Sequence, residues 1–249
     1  MTTISVITVC FNSAKTIAET IQSVETQSGA RREHIVIDGA STDGTMEIVR
    51  RYDRSIARSI SEADVGIYDA MNKGIRLATG DLVGFLNSDD RYLDANVLAD
   101  VVAAYESSRC DFIYGDLHMV NDQGRLVRHW KTGGIPSTGL TGMQIPHPVL
   151  FVRRELLLEI KPPFDPSYRI SADLKQQLIL VNRMRAKGTY IRRPLAVMRI
   201  GGASTRGLSG YLAGWRESAR AYNDVFGSGG GWYTVKKVFS KIKGVRHWG

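Results

Sequence analysis

Polar side chains follow four successive strand-like segments in the first 90 residues of the chain. The strand patterns cover residues 4–10, 34–38, 55–61 and 81–86, and helical patterns separate them. Strands that alternate with helices predict an α/β domain, with a mostly parallel central sheet and helices on both faces. Ligands of such domains bind beyond the carboxyl ends of the strands. The polar residues at that edge are Asn12, Asp38, Glu62 with Asp64, and the segment 87–90.

Length and composition narrow the class of protein. The 249 residues suit one large domain or two small ones. No run approaches the roughly 18 apolar residues of a membrane span, and the first residues enter a strand pattern without the regions of a signal peptide. Two cysteines, Cys10 and Cys110, are too few for a disulfide framework. We therefore expect an intracellular location in a reducing cytoplasm.

The net charge of +8 is concentrated near the C-terminus, where no acidic residue follows Asp224. The basic residues of this tail are Lys236, Lys237, Lys241, Lys243 and Arg246. Apolar residues recur there at helical spacing: Trp232, Val235, Val238, Phe239, Ile242 and Val245. This pattern predicts an amphipathic helix on an anionic membrane surface. The same apolar stripe is also typical of a helix that packs on its own domain or on a second subunit.

The tail follows a glycine-rich segment, residues 227–231, which predicts a flexible joint. A basic chain can also indicate nucleic-acid binding. Neither a helix-turn-helix nor a zinc-finger or RNA-recognition signature is present, so we expect no nucleic-acid partner.

Two adjacent carboxylates, Asp89 and Asp90, follow the strand pattern 81–86. Mg²⁺ and Mn²⁺ prefer carboxylate and phosphate oxygens, so the pair is a candidate metal site. Asp and Asn also favour turns and helix caps, and taken alone the segment indicates such a turn. Its place at the same sheet edge as three other polar strand ends favours a binding site.

Two further polar segments precede helical patterns. Asp38 lies at the end of a strand pattern and is followed by Gly39. The Asp38 carboxylate could accept hydrogen bonds from a nucleobase or ribose, but the segment equally suits a turn before a capped helix. The residues Asp64, Asp69, Asn72 and Lys73 form the second group, which is typical of a binding site or of a solvated helix face.

The order and spacing of these motifs resemble family-2 glycosyltransferases of the GT-A fold. The resemblance rests on the segments 5–12, 36–45, 64–74 and 85–90 and extends more loosely to about residue 205. Residues 64–74 look most like the branch that builds bacterial exopolysaccharides, including colanic-acid-type enzymes. The resemblance implies a GT-A fold with a C-terminal helical tail.

The same resemblance implies roles for the residues at the sheet edge. Phe11 lies where the family places an aromatic residue against the nucleobase, Asp38 where a carboxylate contacts the base or ribose, and Asp64 at or near a further nucleotide contact. The segment of Asn87, Ser88 and Asp89 occupies the Asp-x-Asp position, with Asp89 the expected metal ligand and Asp90 beside it. Asn87 is a departure, since many relatives have Asp there.

The family's catalytic base is a carboxylate at the start of a later helix. Asp173 matches it, and Ala172 replaces the usual Glu. Taken alone, Asp173 indicates an ordinary acidic residue in the first turn of a helix. His147 is a further candidate for the acceptor side, although a lone His is more often structural. Residues 201–204, flanked by Arg199 and Arg206, resemble a loop that closes over the diphosphate and equally a plain turn.

The resemblance implies an inverting, metal-dependent transferase that uses Mn²⁺ or Mg²⁺ and a nucleotide-sugar donor, with UDP-sugars favoured. We expect a saccharide acceptor linked to polyprenyl diphosphate and a peripheral position at the inner face of the cell membrane. The expected division is a nucleotide-sugar-binding half, residues 1–115, an acceptor-binding half, residues 116–226, and the linker with its basic tail, residues 227–249.

Three alternatives are weighed against this function. A nicotinamide-dependent dehydrogenase requires a Gly-x-Gly-x-x-Gly turn after the first strand, and the segment 10–14 lacks it. A sugar nucleotidyltransferase would carry a glycine-rich, basic loop after the first strand, and the segment 10–14 lacks that loop as well. A non-catalytic nucleotide- or carbohydrate-binding module stays open.

Overall fold

The structure is a computed structural model that describes residues 1–200 and 207–245, with the backbone alone described for 207–211 and 240–245. Its strands are β1 (Thr3–Cys10), β2 (Arg31–Asp38), β3 (Arg58–Ser61), β4 (Leu82–Phe85), β5 (Arg91–Tyr92), β6 (Phe112–Val120), β7 (Leu126–Trp130), β8 (Leu150–Arg153) and β9 (Gly188–Arg199). Its helices are α1 (Ile17–Glu25), α2 (Thr45–Arg50), α3 (Ile67–Leu77), α4 (Val97–Ser108), α5 (Arg154–Glu159), α6 (Ala172–Gln177), α7 (Gly207–Phe226) and α8 (Gly230–Val245). A 3-10 turn, His147–Val149, precedes β8, and α6 continues as the π-helical segment Leu178–Arg183.

In the described part of the chain the strands form one sheet in the order β3-β2-β1-β4-β8-β6-β9-β5, with β7 paired to β6. The neighbours β3, β2, β1 and β4 are parallel, and so are β6 and β9. The pairings of β8, β5 and β7 are antiparallel, so six of the nine strands share one direction. The predicted α/β class, a GT-A-like fold with a mostly parallel sheet, is confirmed.

Strands β1 and β4, and the second half of β2, are mostly apolar and buried because both faces of the sheet are covered there. In β1, seven consecutive residues from Ile4 to Cys10 are buried. Helix α1 buries Ile17, Ile21 and Val24, which the helical spacing places on one face. These elements hold the carboxyl ends of β1 and β2 side by side, with Cys10 and Asp38 in register.

The second half of the sheet differs from a simple alternation of strands and helices. Strand β8 lies between β4 and β6, antiparallel to both, and the short strand β5 pairs with β9. Strand β6 is long because its second half pairs with β7 in an antiparallel ribbon after its first half has paired with β8. These pairings depend on contacts between distant segments, which hydrophobic periodicity does not record.

The C-terminal segment forms a helical hairpin in which α8 packs against α7. The tight turn between them has Gly229 at φ +93°, and a Cβ on Gly230 would lie 2.1 Å from the carbonyl oxygen of Ala219. Here the glycines serve a left-handed backbone and a close helix contact. The predicted joint, residues 227–231, thus contains a tight turn and the first residues of α8.

The face of α8 that packs differs from the predicted apolar stripe. Tyr233 is buried, stacks on Tyr222 with ring centroids 4.8 Å apart, and donates from its hydroxyl to the Met143 carbonyl at 2.8 Å. By contrast, Trp232 and Phe239 are 66% and 61% exposed. The tail prediction also names Lys241, Ile242, Lys243, Val245 and Arg246, whose side chains lie outside the described part of the structure. No described helix is both long enough and apolar enough to span a membrane.

Candidate active site

The carboxyl ends of β3, β2, β1 and β4 meet at one edge, as their order in the sheet requires. The chain turns after β1 at Asn12, whose φ is +50° and whose Oδ1 accepts the backbone N–H of Thr42 at 2.9 Å. Asn is among the residues that best tolerate this left-handed conformation. The turn leaves the aromatic ring of Phe11 65% exposed.

Asp38 ends β2 and is completely buried. Its carboxylate accepts hydrogen bonds from the Ser41 backbone N–H at 2.9 Å, from the Ser41 hydroxyl at 2.5 Å and from the Ser61 hydroxyl at 2.6 Å. In this arrangement the carboxylate holds the turn after β2 and the end of β3 together. The ligand contact predicted for Asp38 stays a prediction.

Asp64 lies above that turn, where its Oδ2 would be 3.0 Å from a Cβ on Gly39. Its Oδ1 pairs with Nζ of Lys73 at 2.6 Å, and Glu62 pairs with the same ammonium at 2.9 Å. Hydrogen bonding to Asp64, followed in importance by that to Glu62, raises the pKa of Lys73 above its usual range. The predicted polar group is therefore an ion-paired cluster that fixes Asp64 beside Phe11.

Asn72, the fourth member of that predicted group, has a different position. Its side chain is buried and makes two hydrogen bonds to the backbone of Phe164, donating at 2.7 Å and accepting at 2.9 Å. It therefore ties α3 to the segment that leads into α6.

The segment after β4 is a tight turn in which the Asp90 backbone N–H donates to the Asn87 carbonyl at 3.0 Å. The Ser88 hydroxyl lies 2.8 Å from that of Ser13, which joins this turn to the turn after β1. Asp89 is half-buried and Asp90 is buried, and both line a cavity of about 330 Å³. Burial, and then the adjacent charge of Asp89, raise the pKa of Asp90 well above its usual range.

Asp173 lines the same cavity from the first turn of α6. It is 8% exposed; Oδ2 accepts a hydrogen bond from Gln144 at 2.7 Å, and Oδ1 has no partner in the described structure. The fold thus brings Asp173 together with Asn87, Asp89 and Asp90. Phe11, Asp38, Asp64 and Ser88 lie outside the cavity lining, at the neighbouring strand ends.

His147 lines the cavity between these two groups of carboxylates. Its Nε2 lies 2.9 Å from Nδ2 of Asn87 and 3.9 Å from Oδ2 of Asp90. Burial lowers the pKa of His147, although the charges of Asp173 and Asp89 act in the opposite direction. The Asn87 amide nitrogen can donate a hydrogen bond to His147, whereas an ionised Asp at this position could only accept one.

The donor atoms around Asp89 suit a hard divalent cation. Oδ1 of Asn87 and Oδ1 of Asp90 are buried oxygen atoms without a hydrogen-bond partner in the described residues. Oxygen ligands of this kind are those that Mg²⁺ and Mn²⁺ prefer. No described group of three His, Cys, Asp or Glu residues is arranged to hold a metal ion. The unpartnered oxygens of Asn87 and Asp90, next to Asp89 in the chain, therefore suit part of a cation site, which the described residues do not complete.

Several residues of the cavity were not among the predicted site residues: Tyr68, Arg128, Trp130, Gln144, Arg169, Trp215, Ser218 and Lys237. Gln144 lies in a segment of Gly, Thr and Pro that predicts only a loop. Lys237 was predicted for the polar face of a tail helix, and the structure instead buries it in the cavity wall. Helical spacing places Lys237 on the same face of α8 as Gly230 and Tyr233. That spacing indicates burial of Lys237 only when the face of α8 that packs on the domain is already known.

Arg199 also lines the cavity and is 2.5 Å from the Glu19 carboxylate, which pairs with Arg91 as well. The predicted loop of residues 201–204 and Arg206 lie outside the described residues.

The model of the family described as Glycosyl transferase family 2 matches residues 5–160. The PGL/p-HBAD biosynthesis glycosyltransferase of Mycobacterium bovis (strain BCG / Pasteur 1173P2) is 32% identical over 173 residues, which cover 68% of this chain and 66% of that protein. The chain thus spans slightly less than two thirds of that relative's length.

Two solved structures share the fold. S. aureus TarS 1-349 superposes with a TM-score of 0.68 at 21% identity, covering 89% of this chain and 65% of that one. The mannosyltransferase PcManGT from Pyrobaculum calidifontis, in complex with GDP-Man and Mn²⁺, has a TM-score of 0.67 at 18% identity, covering 99% and 76%. At these identities the likeness shows the fold alone.

Proposed function

This chain belongs to glycosyl transferase family 2, and from that premise we propose that it is an inverting glycosyltransferase with a nucleoside-diphosphate sugar as donor. The observation that carries the proposal is the shared cavity of Asp89 and Asp173. One carboxylate lies at a strand end, where a donor diphosphate would bind, and the other has an unpaired oxygen. A reaction at the anomeric carbon needs both a site for the leaving diphosphate and a proton acceptor.

The donor nucleotide is assigned to the ends of β1 to β3. Phe11 presents an exposed ring for the base, and Asp64 lies beside it. We assign Asp38 the role of holding the turn that carries Gly39 and Ser41, because its carboxylate is already hydrogen-bonded. S. aureus TarS is known in complex with UDP-GlcNAc, and PcManGT with GDP-Man. A UDP-sugar is the favoured donor, with Ser88 and Asn87 nearest its diphosphate.

Asp173 is the proposed general base. Its Oδ1 accepts the proton of the acceptor hydroxyl, whose oxygen attacks the anomeric carbon while the bond to the diphosphate breaks. Gln144 holds the other carboxylate oxygen and thereby orients the base. Attack from the face opposite the leaving group inverts the anomeric centre, and no covalent intermediate with the protein is needed.

Asp89, with Asp90 beside it, would hold a Mn²⁺ or Mg²⁺ ion together with the donor phosphates. A bound divalent cation would stabilise the negative charge of the leaving diphosphate. The support is the set of buried oxygen atoms without partners in this part of the cavity.

For the acceptor we propose a saccharide, linked to polyprenyl diphosphate, in the synthesis of a bacterial surface polysaccharide. Residues 1–115 would bind the donor and residues 116–226 the acceptor, while the basic tail, residues 227–249, would hold the enzyme at the inner face of the membrane. The exposed apolar residues of α8 support the membrane contact, since the packed face of the helix leaves Trp232 and Phe239 outside.

The test is release of nucleoside diphosphate from UDP-GlcNAc and GDP-Man by the purified chain with Mn²⁺. We expect slow donor hydrolysis by the native chain, loss of it in Asp89→Ala, and no change in Asp53→Ala, whose carboxylate is exposed and outside the cavity lining. Nucleotide binding without hydrolysis or transfer would favour the alternative of a binding module. Formation of a nucleotide sugar from a nucleoside triphosphate and a sugar 1-phosphate would favour a sugar nucleotidyltransferase.

A further inference from the structure

A carboxylate of α7 holds the segment that leads into the proposed base. Glu217 accepts hydrogen bonds from three successive backbone N–H groups. The nitrogen of Arg169 lies 2.9 Å from Oε1, and those of Ile170 and Ser171 lie 2.8 Å and 2.9 Å from Oε2. These three residues line the cavity, and Asp173 lies two positions beyond the last of them. One side chain of α7 thus fixes the cavity wall immediately before the base.

The contact also holds the start of α6. Ser171 occupies the N-cap position, but within the described residues its side chain makes no capping hydrogen bond and donates to the Gly214 carbonyl at 3.5 Å. The first N–H groups of a helix have no partner within it, and a carboxylate at that end is favoured. Glu217 accepts the N–H of the N-cap residue, as the Glu of a capping box does, but from a separate helix. The first turn of α6, which contains Asp173, is therefore held by α7.

A second carboxylate on the same face of α7 makes a different kind of contact. Asp224, two helical turns after Glu217, accepts a hydrogen bond from the Tyr168 hydroxyl at 2.7 Å and pairs with Lys175 at 2.9 Å. Both of these partners are side chains. Glu217 instead binds the backbone beside Asp173, and the backbone determines where that side chain begins.

A general base acts only when its free oxygen lies within hydrogen-bond distance of the reacting hydroxyl. Gln144 holds Oδ2 of Asp173 at 2.7 Å, and Oδ1 has no partner in the described structure. That contact orients the side chain but does not fix the backbone that carries it. A displacement of about 1 Å can lower a rate by roughly 100-fold, so the backbone position of Asp173 also matters for the reaction.

We propose that Glu217 is a positioning residue of the transfer reaction, which holds the backbone of residues 169–171 so that Asp173 meets the acceptor hydroxyl in the geometry of proton transfer. Glu217 is not among the described residues that line the cavity, so it acts through this segment and not by contact with the substrate. The inference rests on the proposed function, because it concerns the base of that reaction.

The experiment measures release of UDP from UDP-GlcNAc with Mn²⁺ by the full chain, where water replaces the acceptor hydroxyl, and the affinity for UDP by calorimetry. We expect Glu217→Gln to lower kcat by about ten-fold or more, because its amide group brings an NH₂ toward backbone N–H donors. The affinity for UDP should not change. Asp224→Asn is the matched control, since it removes a carboxylate from the same face of α7, and it should keep kcat within a few-fold of native.

A double-mutant cycle separates positioning from a general structural role. If Glu217 acts through Asp173, adding Glu217→Gln to Asp173→Asn should lower kcat little further, whereas independent effects would multiply. Native kcat in Glu217→Gln, or multiplied losses in the cycle, would overturn the inference. Thermal unfolding reports whether each variant folds. Glu217→Asp, which keeps the charge on a shorter side chain, is the second variant and should show a smaller loss of kcat.

Hydrogen exchange gives a readout that needs no turnover. The amide protons of residues 169–171 should exchange faster in Glu217→Gln than in the native chain or in Asp224→Asn. Unchanged exchange in Glu217→Gln would contradict the inference by itself. Absence of donor hydrolysis by the native chain, or full activity of Asp173→Asn, would instead contradict the proposed function.

Discussion

Gln144 donates from Nε2 to Oδ2 of Asp173 at 2.7 Å, while Oδ1 of the same carboxylate has no hydrogen-bond partner in the described structure. One oxygen is therefore held, and the other is left without a partner in a residue that lines the cavity. This is the arrangement that a base needs if it is to accept a proton from a bound hydroxyl in a fixed direction.

Asp173→Asn is expected to abolish most turnover and to leave donor binding unchanged. The amide keeps the shape of the side chain but does not accept the proton, and general-base catalysis typically contributes about 100- to 10,000-fold. Initial rates at saturating donor, beside nucleotide affinity by calorimetry, measure the two effects. Asp53→Asn is the control for the loss of one carboxylate, and turnover of Asp173→Asn within a few-fold of it would place the base elsewhere.

Phe11→Ala is expected to weaken nucleotide binding without loss of stability. The ring is 65% exposed, so its removal uncovers little core. Stacking of a base on an aromatic side chain is worth about 1–3 kcal/mol, which corresponds to roughly 5- to 150-fold in affinity. Titration of UDP against the native chain, Phe11→Ala and Phe11→Tyr tests this, with Phe11→Tyr expected to bind normally. Equal affinity in all three would remove Phe11 from the base site.

His34 predicts a specific dependence of stability on pH. It is buried in β2 with Nε2 3.0 Å from the Thr8 hydroxyl, and burial lowers its pKa from 6.5 to about 3. Between these values the unfolded chain binds the proton and the folded chain does not. The free energy of unfolding therefore falls as the pH drops below about 6.5, by up to about 1.4 kcal/mol per pH unit.

His34→Gln should show a shallower decline over the same range, even if it is less stable at neutral pH. Urea unfolding at several pH values between about 7 and 5 gives the two slopes. Parallel profiles for the native chain and the variant would mean that His34 does not control the acid sensitivity.

Binding to anionic liposomes is expected to depend on the exposed side of α8. Replacing Trp232 and Phe239 by Ser removes two exposed apolar side chains and leaves the packed residues Tyr233 and Lys237 in place. We expect several-fold less co-sedimentation with vesicles that contain phosphatidylglycerol, because insertion of apolar side chains adds to the attraction of basic residues. Truncation of the tail is a poorer test, since it also removes a wall of the cavity.

The control replaces Leu126 and Val127, two exposed apolar residues of β7, by Ser. If both double variants bind vesicles as the native chain does, or if binding is indifferent to anionic lipid, the proposed membrane contact through α8 is wrong.

The sequence by itself determined the α/β class, most helices and strands, and the edge of the sheet at which polar residues gather. These properties are local: helical spacing marks the buried face of α1, and parallel neighbours bring the ends of β1 and β2 together wherever the rest of the chain lies. From the sequence, only the family resemblance placed Asp173 and Asp89 in one site.

The tertiary structure decided which side chains share the cavity. Strand β8 pairs antiparallel with β4, and Gln144 contacts Asp173. Both contacts join segments that are far apart in sequence, and hydrophobic periodicity does not predict such contacts. The tail shows the same limit most clearly. Its helical spacing correctly predicts α8. The face of α8 that is buried depends on the close contact at Gly230 and the ring stacking of Tyr233. Because that face is buried, Lys237 lines the cavity.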